Sequence, residues 1–160
     1  MRPVAIVFTD LTGFTPFTAR HGDLAARDLV AFNTLTLVAI AGARDGRIVK
    51  SLGDGHLLAF DDPLVAVAAS IELASAVTTP LRMRVAAHWG RPLRTANDVI
   101  GHDVNVAARL LAMAGPGEVL ISEALCDAAG AVPGVAYGPR EQRAAKGIEA
   151  PIALRVAHAA

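Results

Sequence analysis

A single cysteine, Cys126, stands in a chain of 160 residues. It excludes an intrachain disulfide and a cysteine metal cluster, and this usage fits a reducing cytosol, so a cytoplasmic location is expected. Aromatic residues make up only 4% of the chain against 53% hydrophobic. The apolar content is therefore mostly Ala, Val and Leu, which suits packed helices and strands rather than disorder. Charge of one sign is also missing: 15 basic residues balance 15 acidic ones. That balance argues against a nucleic-acid binder working through bulk charge. No uninterrupted apolar run reaches about 18 residues, and Met1-Arg2-Pro3 leads straight into a strand pattern, so neither a membrane span nor a signal peptide is expected. Lysine is scarce too. Only Lys50 and Lys146 break an otherwise all-arginine set of basic residues, which raises the question of what those two do.

Along the chain the patterns run β-α-α-β-β-α-β, then smaller pieces. Residues 4–9 are continuously apolar and rich in β-branched side chains, the pattern of a buried strand. Leu11 to Gly13 reads as a turn, and Thr15 can cap a helix with Pro16 at its first position. Asp23 caps a longer helix to about Ala43, with Leu24, Leu29, Phe32, Leu35, Ala39 and Ile40 at helical spacing. Asp45-Gly46 turns into a hairpin of residues 47–52 and 56–60. Asp61-Asp62-Pro63 caps a helix through about Val77, broken by Thr78-Thr79-Pro80. Met83 to His88 reads as a core strand, residues 91–100 as a polar connection, and Gly101 to Met113 as a helix stopped by Gly115-Pro116-Gly117. Val119 to Ser122 is a short strand, Ser122 caps a helix over 123–129, and Ile152 to Val156 is a final strand. Residues 131–147 read mostly as loop, with a short strand near Val135–Tyr137. No repeat or composition break divides residues 1–160, so one domain is expected. The fold class expected is α+β: one sheet covered by helices on one face, with a ferredoxin-like βαββαβ core and additional C-terminal elements.

Two aspartates concentrate the chemistry. Asp10 closes the first apolar run, and Asp54 sits in the Gly53-Asp54-Gly55 turn of the hairpin. A carboxylate at the end of a buried strand is desolvated and needs a partner. If the two strands are neighbours the carboxylates converge, and hard oxygen ligands beside a glycine-containing loop suit a divalent metal and phosphate. Either aspartate alone reads better as a turn residue.

Three segments occur in order: Asp10-Leu11-Thr12-Gly13-Phe14-Thr15, Lys50-Ser51-Leu52-Gly53-Asp54-Gly55 and Val104-Asn105-Val106-Ala107-Ala108-Arg109. With His88-Trp89-Gly90 and the tail Lys146-Gly147-Ile148, they closely resemble the catalytic domain of class III nucleotidyl cyclases, over about residues 4–157. The resemblance implies the class III cyclase fold, formation of a cyclic nucleotide from a nucleoside triphosphate, and a dimer with sites at the interface.

The resemblance assigns roles that the chemistry supports. Asp10 and Asp54 would hold two Mg²⁺ or Mn²⁺ ions, with the carbonyl of Leu11 as a further ligand, for attack of the ribose 3′-oxygen on the α-phosphorus. Backbone N–H groups from Leu11 through Thr12, Gly13, Phe14 and Thr15 would hold phosphate oxygens. Asn105 and Arg109 are four apart and share a helix face; Asn105 would orient the ribose and Arg109 would stabilise charge on the transferring phosphorus. Lys50 and Asp98 complement the adenine edge, one as donor and one as acceptor, and guanine reverses that pattern, so ATP is favoured over GTP. Lys146 would contact the terminal phosphates, assisted by Arg91. His88 reads as a core residue. The expected activity is that of an adenylate cyclase making 3′,5′-cyclic AMP as a homodimer, Asp10 and Asp54 coming from one chain and Lys50, Asp98, Asn105, Arg109 and Lys146 from its partner. A silent nucleotide-binding module of the same fold and a guanylate cyclase are the alternatives. A phosphotransferase with Asp10 as nucleophile fits less well, because Thr12 stands where a second acid is expected.

Overall fold

The computed structural model describes residues 2–76 and 81–160. Helix α2 is described to Ala76, so the expected end at Val77 and the Thr78-Thr79-Pro80 break lie outside the described residues. The elements are β1 (Val4–Thr12), α1 (Phe14–Ala43), β2 (Arg47–Leu52), β3 (Gly55–Phe60), α2 (Pro63–Ala76), β4 (Arg82–Gly90), β5 (Leu93–Arg94), β6 (Val99–Ile100), α3 (His102–Met113), β7 (Val119–Ser122), α4 (Glu123–Ala129), β8 (Val135–Tyr137), β9 (Glu141–Arg143) and β10 (Ile152–Ala159). The main sheet runs β2-β3-β1-β4-β7-β10-β8, with β9 on β10. Its β4–β7 pair is parallel and the other pairs are antiparallel. The α+β class and the ferredoxin-like core are as expected.

Alternation along β1 divides the core. Ala5 and Val7 join Leu58, Phe60, Val85 and Ala87 on one face, against α1, α2 and α4. Val4, Ile6 and Phe8 point the other way and pack with Leu57, Val99 and Ala107, the last from α3. Helices therefore cover both faces, not one as expected. Each fully buried Leu or Ile in these layers contributes about 1.5–3 kcal/mol. Asp10 continues the row of Ile6 and Phe8, so it faces the α3 side.

Several boundaries differ from the sequence reading. β1 continues through Leu11 and Thr12, where a turn was expected. Gly13, at φ 80°, occupies the cap position of α1, and no side chain caps it. Thr15 is thus inside the helix, because glycine takes the left-handed conformation that the strand-to-helix corner needs. α1 breaks at Gly22 (φ 85°, ψ 167°), one residue before the expected Asp23 cap. Its buried residues are Ala26, Asn33, Leu37 and Ala41, whereas Leu24, Phe32, Leu35 and Val38 are exposed. By length and composition alone this helix is long and apolar enough to cross a membrane. Here it is broken at Gly22 and packs against α2 and β2. Asp62 caps α2 through bonds from Leu64 N (2.8 Å) and Val65 N (3.2 Å), and Ser122 caps α4 through Leu125 N (3.3 Å).

Candidate active site

The two aspartates do converge. Gly55 brings the β2–β3 hairpin against β1 so closely that a Cβ there would stand 2.3 Å from the Thr9 carbonyl oxygen. The Thr9 hydroxyl accepts a bond from His56 N at 3.2 Å, fixing the same corner. Asp54 lies beside Asp10, and its pKa is raised above the usual carboxylate value, first by burial and then by the negative charge of Asp10. Two half-buried carboxylates that repel each other form a donor set suited to a divalent cation. Among the described residues no third His, Cys, Asp or Glu joins them, so further oxygens would come from backbone, substrate or water.

Arg84 was not singled out from the sequence. It lies directly across the β1–β4 ladder from Asp10. Its Nε donates to Asp10 Oδ2 at 3.0 Å, its Nη2 donates to the same oxygen, and its Nη1 reaches the Ala114 carbonyl at 3.5 Å. The signal was available: an arginine inside a core-strand pattern must find a counter-charge.

Beyond Asp10, Leu11 buries its side chain, so only its backbone is available to a ligand. The Thr12 hydroxyl donates to the Arg82 carbonyl at 2.8 Å, and Phe17 N already bonds the Gly13 carbonyl at 3.1 Å. Pro16 has no N–H, which leaves the amides of Phe14 and Thr15 as the free donors of the first turn.

Lys50 and Asp98 meet at 2.7 Å across elements remote in sequence. A β-bulge makes this possible. Ile48 pairs with Leu58 and Lys50 with Leu57, leaving Val49 as the extra residue. Without it, Lys50 would share the face of Ile48; the bulge turns it to the Leu57 face, where Val99 packs. Asp98 Oδ1 also accepts from Val99 N at 2.8 Å. The bond from Lys50, then that from Val99, holds the Asp98 carboxyl below the usual range. A shallow cavity of about 240 Å³ lined by Val49, Thr95, Ala96, Asn97 and Asp98 adjoins the pair.

Asn105 and Arg109 are exposed on α3, whose buried side is Val106, Ala107 and Leu110. Arg109 Nη2 comes within 3.8 Å of where a Gly147 Cβ would stand, so the Lys146-Gly147 corner abuts that arginine. Lys146 and Arg91 are exposed. The Arg91 backbone N–H donates to Asp103 Oδ2 at 2.6 Å. Among the described residues, no hydrogen bond or ion pair joins the Asp10–Asp54–Arg84 group to the Lys50–Asp98 pair, and none engages the side chains of Asn105, Arg109, Lys146 or Arg91.

This arrangement can be set beside known proteins. The family model for the adenylate and guanylate cyclase catalytic domain matches residues 1–148. An adenylate cyclase of Streptomyces coelicolor is 34% identical over 129 residues, which are 79% of this chain and 34% of that protein. One of Glutamicibacter nicotianae is 35% identical over 120 residues, 72% of this chain and 30% of that protein. The chain thus spans about a third of the length of these relatives. In fold it is similar to the adenylyl cyclase CyaB from P. aeruginosa, at a TM-score of 0.86 and 23% identity, covering 97% of this chain and 93% of that one. It is similar also to the guanylyl cyclase Cya2, at a TM-score of 0.84 and 23% identity, covering 98% and 91%. With ordered sequence motifs, converging aspartates and a family match over most of its length, the chain belongs to the adenylate and guanylate cyclase catalytic-domain family, the class III nucleotidyl cyclases.

Proposed function

We propose that this chain is an adenylate cyclase, converting ATP to 3′,5′-cyclic AMP and pyrophosphate at sites shared between two copies. The observation that carries the choice of ATP is the Lys50–Asp98 pair at 2.7 Å. A lysine donor and a carboxylate acceptor at one place match N1 and N6 of adenine. Guanine presents a donor at N1 and an acceptor at O6, which would leave both groups mispaired at a cost of about 1–3 kcal/mol each. The relatives named adenylate cyclase in Streptomyces coelicolor and Glutamicibacter nicotianae support the same reading.

In this reading Asp10 and Asp54 would hold two divalent ions, Mg²⁺ or Mn²⁺, with the Leu11 carbonyl as a further ligand. Ions held there would supply Lewis acidity, lowering the pKa of the attacking 3′-hydroxyl and offsetting triphosphate charge. Arg84, bonded to Asp10 Oδ2, would keep a positive charge beside the metal and phosphate site. The Phe14 and Thr15 amides receive phosphate oxygens at the start of α1. From the other copy, Lys50 and Asp98 read the base and Asn105 orients the ribose. Arg109 draws charge from the α-phosphoryl group as the 3′ bond forms and pyrophosphate leaves. Lys146 and Arg91 steady the terminal phosphates. Among the described residues no hydrogen bond ties the aspartate group to the exposed, unengaged Asn105 and Arg109, which supports division of the site between copies.

The test is turnover of ATP and GTP by the purified chain with Mn²⁺, reading cyclic AMP and cyclic GMP directly. ATP is expected to be preferred by at least about tenfold in kcat/KM, and Lys50→Ala with Asp98→Ala to lose that preference. Equal turnover of GTP by the unmodified chain would overturn the choice of base and leave a cyclase of dual or guanylate type.

A further inference from the structure

The motif His88-Trp89-Gly90 is not used by the chemistry above, yet its histidine sits at a junction. His88 follows Ala86 on the α3 face of β4. Its Nδ1 lies 2.9 Å from the Ser122 hydroxyl, and its Nε2 lies 3.6 Å from Asp103 Oδ1. Ser122 is the cap of α4, accepting from Leu125 N at 3.3 Å. Asp103 is in the first turn of α3, and its other oxygen accepts the Arg91 N–H at 2.6 Å. Gly90 makes room for that carboxylate: a Cβ there would stand 2.4 Å from Asp103 Oδ2.

The proton arrangement follows from donor rules. Burial lowers the His88 pKa, with Asp103 acting in the opposite direction, so the ring is neutral at neutral pH. A neutral imidazole has one N–H, and a carboxylate only accepts. The N–H therefore faces Asp103, and Nδ1 accepts from the Ser122 hydroxyl, whose oxygen is left to accept from Leu125. The chain of contacts runs one way, from the α4 cap to the first turn of α3. The cap residue of α3 is Gly101, and no side chain caps the helix. Asp103 supplies the missing tie by holding the start of α3 to the exit of β4.

Asn105 and Arg109 follow on the same short helix, so a tilt of its first turn moves both. We propose that His88 is a positioning residue for this reaction: through Asp103 it sets the placement of α3, and with it Asn105 and Arg109. The proposal deepens the cyclase reading and rests on the roles given there to those two residues. A misplacement on the order of 1 Å is enough to cost about a hundredfold in rate.

Two substitutions separate the contacts. His88→Asn keeps a polar group near Ser122 but is too short to reach Asp103, while His88→Gln places an amide near the position of Nε2. His88→Asn is expected to lower kcat by at least about tenfold, with the Mn²⁺ concentration for half-maximal rate within about twofold, and His88→Gln to recover most of the loss. Mixing assigns the effect to one half of the site. His88→Asn mixed with Asp10→Ala should regain activity, because the Asp10→Ala copy carries an intact α3. His88→Asn mixed with Arg109→Ala should not. Recovery in the reverse combination, recovery in neither, or full activity of His88→Asn alone would each overturn the proposal. If Asp10→Ala and Arg109→Ala fail to complement each other, the shared-site reading fails by itself. The unmixed variants then decide, and a raised Mn²⁺ requirement with kcat intact overturns the positioning role.

Discussion

Replacing Arg84 by methionine keeps the apolar stem and deletes the charge that neutralises Asp10. Two guanidinium nitrogens share one Asp10 oxygen, one of them at 3.0 Å. The side chains of Arg84 and Asp10 are 27% and 23% exposed. Removing one partner of a fully buried pair costs about 3–5 kcal/mol, and quarter exposure with solvent screening reduces that to about 2–3 kcal/mol. For a chain of this size the melting temperature should fall by about 4–12 °C. The measurement is urea unfolding of wild type and Arg84→Met in EDTA and then in saturating Mn²⁺. In the wild type a cation approaching Asp10 meets the positive charge of Arg84 on its Oδ2 oxygen. In the variant it fills a place where charge is missing, so Mn²⁺ should stabilise the variant more. The gap between the two proteins should therefore shrink by about half or more when metal is added. A gap below about 1 kcal/mol in EDTA, or one unchanged by Mn²⁺, would refute the reasoning that Arg84 stands in for the cation at Asp10.

Other substitutions test neighbouring steps. Burial and Asp10 raise the Asp54 pKa in the folded chain above 3.8, so folding takes up a proton there. Stability from this group is lowest above the folded pKa and improves as pH falls through it. Asp54→Asn should accordingly be more stable than wild type at pH about 7.5 without metal, by an amount that narrows toward pH about 4, while losing cyclase activity; urea midpoints at the two pH values check this, and a less stable variant at neutral pH would contradict it. Gly55→Ala places a Cβ 2.3 Å from the Thr9 carbonyl oxygen. Backbone stands on both sides, so the hairpin must move, and a loss of about 2–4 kcal/mol is expected in thermal melts, with activity falling in parallel.

What could be read from the sequence depended on how local the signal was. The hairpin around Gly53-Asp54-Gly55 was legible because glycine and strand periodicity point the same way, and its convergence with Asp10 followed once β1 and β3 were neighbours. Arg84 escaped because its role exists only across the β1–β4 ladder, where register and not spacing pairs it with Asp10. The bulge at Val49 escaped for the same reason, although it is what turns Lys50 toward Asp98. Thr15-Pro16 looked like a helix start, but a strand reaching Thr12 left the corner to Gly13. The core face of α1 was misjudged because large apolar residues occupy both sides. The core takes Leu37 and Ala41, while Leu24, Phe32 and Leu35 stay outside. Strand β9 lies in the stretch read mostly as loop; Glu141-Gln142-Arg143 has no apolar pattern and is a strand only by pairing with β10.

The shared site is tested most directly by mixing Asp10→Ala and Arg109→Ala chains in equal amounts and measuring cyclic AMP formation with Mn²⁺ and ATP. Each alone should be inactive. Random pairing puts half the dimers in mixed form, each with one intact site of two, so about a quarter of wild-type activity should return. No recovery from two folded, dimer-forming chains would contradict a site divided between copies.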